Sequence, residues 1–68
     1  MGDELGVVMA QQVNTLAATF YQMNGRIFDP KIDFRGSTHP EERQCWNQAI
    51  VAHAFINGDA GLLKFQVS

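Results

Sequence analysis

The chain has 68 residues, 46% of them hydrophobic and 18% charged, with a net charge of −2 and a pI near 5.4. This length allows one small domain over residues 1–68, in the range where a single hydrophobic core is marginal and domains lean on disulfides, metals or association. A lone cysteine, Cys45, excludes an internal disulfide, no spaced Cys/His set suggests structural zinc, and the acidic balance excludes a basic footprint for extended nucleic acid.

Association with further copies is left as the source of extra buried area, and low charge content favours it. Asp3 and Glu4 stand where a signal peptide needs positive charge. No residue from Leu5 to Gly25 is charged, yet Gln11, Gln12, Asn14, Thr15, Thr19 and Gln22 interrupt the apolar run far short of a membrane span. The expectation is a cytoplasmic protein without a membrane segment.

Asp3 is a suitable N-cap for a first helix ending near Asn24-Gly25, with glycine in the usual position after the last turn. Leu5, Met9, Val13, Leu16, Phe20 and Met23 recur at helical spacing and predict the core stripe. Ala10, Ala17 and Tyr21 form a second strip beside it, small enough for close helix approach. Gln11, Thr15, Thr19 and Gln22 make the opposite face polar but neutral. Ordinary solvated faces carry Lys and Glu, so this face is either plainly exposed or covered by another chain.

Residues 26 to 36 connect the helices. Asp29-Pro30 breaks any helix, and Phe28, Ile32 and Phe34 alternate with Lys31, Asp33 and Arg35. The pattern predicts an extended arm whose apolar side covers the open end of a helix pair.

The stretch "FRGSTHPEERQCWNQ" then opens the second helix. Thr38-x-x-Glu41 matches a capping box, Pro40 fits the first turn, and Glu41 and Glu42 complement the helix dipole. Cys45, Ala49, Ala52 and Ile56 predict the inner stripe, flanked by Trp46, Ile50 and His53. Arg43, Gln44, Asn47 and Gln48 make the outer face, which turns apolar from Val51 onward with Ala54 and Phe55. A helix apolar nearly all round is buried nearly all round, which one partner helix cannot achieve. Asn57-Gly58 closes this helix. The tail alternates at Leu63, Phe65 and Val67 and predicts a short extended segment able to pair with the arm. The fold expected is therefore mainly α: a two-helix hairpin with an extended connecting arm and an extended C-terminal segment, completed by homo-oligomerisation, most simply a dimer. The alternative is a small α+β fold with a two-stranded sheet.

Metal binding fails on spacing, because His39 and His53 lie about 21 Å apart at a helical rise of 1.5 Å and Cys45 and His53 about 12 Å. Cys45 falls on the inner stripe, where free cysteine is a small buried hydrophobe, and His53 is too far along the helix to activate it. No glycine spacing for a nucleotide loop is present. The residues predict a non-enzymatic protein without a cofactor.

Two binding modes are left. A protein-binding surface needs weakly charged area with aromatic anchors, for which Phe28, Phe34, Trp46, Phe55 and the amide-rich helix face are the candidates. A site for a small phosphorylated or nucleotide signal needs converging cations, rings and free N–H groups. Tyr21, Arg26, Arg35, Ser37, Thr38 and His39 around the second helix start supply them, though Glu41 and Glu42 oppose an anion there. Five cations, Arg26, Lys31, Arg35, Arg43 and Lys64, against seven acids rank protein binding first.

Tyr21-x-x-x-Gly25 through Phe34, His39-Pro40-x-Glu42 and Cys45-Trp46-x-x-Ala49 together resemble small phage and prophage proteins of unknown function. The resemblance implies an accessory protein that inhibits a host or defence factor by binding, either by covering a host protein's surface or by sequestering a nucleotide signal. It assigns no functional residue.

Overall fold

The computed structural model describes residues 5–26 and 32–67. Helix α1 spans Val7–Met23, helix α2 spans Pro40–Asn57, and a 3-10 helix spans Ala60–Phe65. Among the described residues there is no strand. No helix there is long and apolar enough to cross a membrane.

Helix α1 begins behind Gly6, which has no side chain to cap it, and carries no acid in its first turn. The expected cap, Asp3, lies outside the described residues. With no charged side chain in its own first or last turn, α1 depends on its packed face. Its end matches the glycine signal. Gly25 has φ +82°, its N–H bonds Gln22 O at 2.9 Å, and the Arg26 N–H reaches Tyr21 O at 3.3 Å. Those two bonds form a Schellman motif, which satisfies the last carbonyls and carries the chain back beside α1. Helix α2 stops in the same manner at Gly58, φ +62°, with Gly58 N–H to Phe55 O and Asp59 N–H to Ala54 O.

The helices pack antiparallel, since Tyr21 and Asn24 at the end of α1 bond Glu42 and Cys45 at the start of α2. One buried cluster joins Val13, Ala17, Ala18 and Tyr21 of α1 to Cys45, Trp46, Ala49 and Ile50 of α2, with Phe34 from the connection between them. The rings of Trp46 and Phe34 are the largest fully buried groups. Phe34 meets Tyr21 edge to face with centroids 5.4 Å apart.

These rings explain where the expected stripes shift. Large rings need small neighbours, so Ala17 and Ala18 turn fully inward while Leu5, Met9, Leu16 and Phe20 are only partly buried at the margin. Met23, expected inside, is 75% exposed in the last turn of α1. On α2, Ile56 is exposed instead of buried, and Ala54 is buried instead of outward. The 3-10 helix folds back onto α2 and covers the Ala54 side, which a two-helix pattern does not foresee.

The expected C-terminal extended segment is largely this 3-10 helix. Asp59 Oδ1 accepts the Gly61 N–H at 3.0 Å and nucleates it. Leu62 and Phe65, three apart, then share the inward side, an i,i+3 spacing that also fits 3-10 geometry. Neither the two-stranded sheet nor pairing of the tail with the arm occurs among the described residues. The arm's residues 27–31 lie outside them. Side-chain amides replace the missing strand partners. Asn14 of α1 donates to Ile32 O at 3.0 Å and accepts from Phe34 N at 2.9 Å, tying down the connection. Asn47 of α2 makes the corresponding pair of bonds to Val67.

Candidate functional site

The opening of α2 carries the densest polar cluster, and its wiring differs from a capping box. The residue before the first turn is His39, which provides no side-chain cap, and Thr38 is exposed. Glu41 instead takes a fork from Arg26: Nε donates to Oε2 at 2.6 Å and Nη2 donates to Oε1. A guanidinium is a stronger partner for a carboxylate than a neutral backbone N–H, so the ion pair displaces the expected reciprocal cap. The Arg26 hydrogen bond holds the Glu41 carboxyl below its ordinary range, and Glu41 in turn raises Arg26.

Glu42 is occupied as well. Ser37 Oγ donates to its Oε1 at 2.6 Å and Tyr21 Oη donates to its Oε2 at 3.2 Å, while Ser37 Oγ accepts the His39 N–H at 3.0 Å. Burial, then the bond to Glu42, pushes the Tyr21 phenol up. Of the residues expected around an anion, Tyr21, Arg26, Ser37 and His39 do gather here, but Tyr21, Arg26 and Ser37 already donate to the two carboxylates and the His39 N–H to Ser37 Oγ. Arg35 is elsewhere, with its guanidinium 5.9 Å from the Trp46 ring centroid and 5.8 Å from that of Phe65. The arrangement suits a fastening between α1, the connection and α2, and not an anion cradle.

Cys45 lies beneath this cluster, buried, with Asn24 Nδ2 3.9 Å from its sulfur. Burial pushes its thiol up, away from the thiolate that nucleophilic chemistry needs. Among the described residues no three His, Cys, Asp or Glu side chains lie together as a metal site would need.

The aromatic anchors separate likewise. Phe34 and Trp46 are fully buried, so neither is available to a partner: a 68-residue core needs its largest rings inside. Trp46 also gives its Nε1–H to Phe65 O at 3.0 Å. Phe28 lies outside the described residues. Phe55 alone among these four is shown on the surface, 87% exposed.

Two kinds of surface result. The first is the outer face of α1, where Val8, Gln11, Gln12, Thr15 and Thr19 are exposed. Open depressions of about 700 and 510 Å³ flank it and share Gln11 and Thr15. Thr15 Oγ1 donates to Gln11 O at 2.9 Å and Thr19 Oγ1 to Thr15 O at 3.1 Å. Those hydroxyls are satisfied by the helix's own carbonyls. The second surface is the apolar groove beside Phe55, between α2 and the 3-10 helix.

Asn14 and Asn47 are the tethering side chains whose role composition and periodicity passed over. Asn is a poor residue for a helix interior, and that mismatch is the signal that could have marked both.

No family model, curated protein or solved structure matches this chain. Its own geometry therefore carries the functional reading.

Proposed function

We propose that the chain is a non-enzymatic interaction protein that covers a surface of a cytoplasmic host or defence protein, as the phage-type accessory inhibitors it resembles are expected to do. The outer face of α1 is the contact in this reading. The observation that carries it is the absence of Asp, Glu, Lys, Arg and His from all seventeen residues of that helix. Helix faces left to solvent ordinarily carry charge, whereas the centres of interfaces are depleted of it. Back-bonded threonines can be covered without stranding a hydroxyl, and the Gln11, Gln12 and Gln22 amides supply directional bonds to a neutral partner.

The engaged states of Cys45, Glu41 and Glu42 support binding over catalysis. The neutralised Arg26 and the bonded Ser37 weigh against the nucleotide reading.

Affinity capture with the tagged chain tests this. A stoichiometric protein partner is expected, and it should be lost with Gln12→Lys or Thr15→Lys, both at exposed positions. A partner retained by both folded variants, or nucleotide binding abolished by Arg35→Ala, would overturn the reading.

A further inference from the structure

We infer that the groove between α2 and the 3-10 helix is a self-association surface, and that its occupant is the Phe55 ring of a second copy of this chain. The inference does not rest on the proposed function, which uses α1.

Phe55 projects from the last turn of α2 at 87% exposure, where a ring of that size is ordinarily core. The ring is itself one wall of an open depression of about 360 Å³, whose other walls are Val51, Ala54, Gly58, Ala60 and Leu63. Ala54, Gly58 and Ala60 are small, which leaves room for a ring. Val51 and Leu63 are 46% and 41% exposed and form apolar walls. One surface thus carries both a projecting aromatic and an apolar recess. A two-fold contact requires that combination, because each copy must insert and receive on the same patch.

Charge agrees, and area sets the extent of the contact. No ionisable side chain lines the recess, so a ring entering it meets no charge. Towards the start of α2 the groove continues between Gln44, Gln48 and Gln66, with Val51 common to both parts. An apolar centre with an amide margin is the usual composition of such contacts. The exposed parts of Phe55, Val51 and Leu63 come to about 300 Å² by ordinary side-chain areas. A standard interface needs ~800 Å² from each partner. The amide stretch must therefore take part, and the dimer should be of modest affinity, with Kd on the order of 1–100 µM.

Sedimentation equilibrium of the full chain from ~1 to ~200 µM spans that range. A monomer–dimer equilibrium is expected for the wild type. Phe55→Glu should weaken it at least ~100-fold by forcing a charge into the recess. Leu63→Lys, at a partly exposed wall position, should weaken it in the same direction. Circular dichroism establishes that each variant is folded, and Leu63→Lys carries the test alone if Phe55→Glu unfolds. A wild type that is monomeric throughout, or a dimer unaffected by the folded variants, would overturn the inference.

Discussion

The side chain of Asn47 pairs with both backbone groups of Val67, donating from Nδ2 to the carbonyl at 2.5 Å and accepting the N–H on Oδ1 at 2.7 Å. One carboxamide thus does what a neighbouring strand would do for the end of the tail. Asn47→Ala removes both bonds in a partly buried place and should cost about 1–3 kcal/mol. Urea unfolding measures the loss. Limited proteolysis should find residues 63–67 cut first, with the helices still protected.

Phe34 joins the connection to the core through its ring, fully buried and in edge-to-face contact with Tyr21. Phe34→Ala should destabilise by about 3–5 kcal/mol, the range for a truncated core aromatic. In a chain this small that amounts to unfolding a large fraction at room temperature. Phe34→Leu, which keeps most of the volume, should retain cooperative melting, and calorimetry separates the two.

Acid should loosen the fastening at the start of α2. Glu41 has a depressed carboxyl pKa in the folded state, so its contribution is present above the ordinary carboxylate range and is lost as pH falls through the folded value. Glu41→Gln should flatten the acid limb of a stability–pH curve and remove part of its salt dependence, because the pair is about half exposed. An acid limb unchanged in Glu41→Gln would show that the Arg26 pair contributes nothing measurable.

Cys45 should react with thiol reagents at the rate of local opening and not at that of a free thiol, since burial both raises its pKa and blocks access. Cys45→Ser places a hydroxyl in the core and should cost about 1–3 kcal/mol, whereas Cys45→Ala should cost less. Under the proposed function, capture of a protein partner should survive Cys45→Ala and His53→Gln. A well-folded form of either that loses activity specifically would point to chemistry at these residues.

The helices were legible in the sequence because their signals are local: apolar spacing, Gly25 and Gly58 after the last turns, and Pro40 in a first turn. The facing of those helices was less so. Periodicity gives weight to bulky residues, so Leu16 and Met23 stood out, while the inward side was set by the room that Trp46 and Phe34 require. The capping box at Thr38 and Glu41 was a sound local pattern that a distant residue, Arg26, overrode. The tail was misjudged on local and distant grounds together, since Asp59 caps it and Trp46 and Asn47 hold it. Alternation over Leu63, Phe65 and Val67 is compatible with a strand and outweighed the short cap signal at Asp59. Among the candidate binding residues, the outward position of Phe55 was legible from the helical spacing of α2, whereas burial of Trp46 and Phe34 depended on contacts across the whole chain.

Trp46 is the single tryptophan, fully buried, with its indole N–H on the Phe65 carbonyl and the Arg35 guanidinium near its ring. The chain therefore contains an optical probe wired to its own tail. Release of residues 65–67 would free the indole N–H and alter the field across the ring before either helix melts, so emission should shift ahead of the far-ultraviolet signal during unfolding. Docking and melting of this small protein can thus be timed separately without any added label.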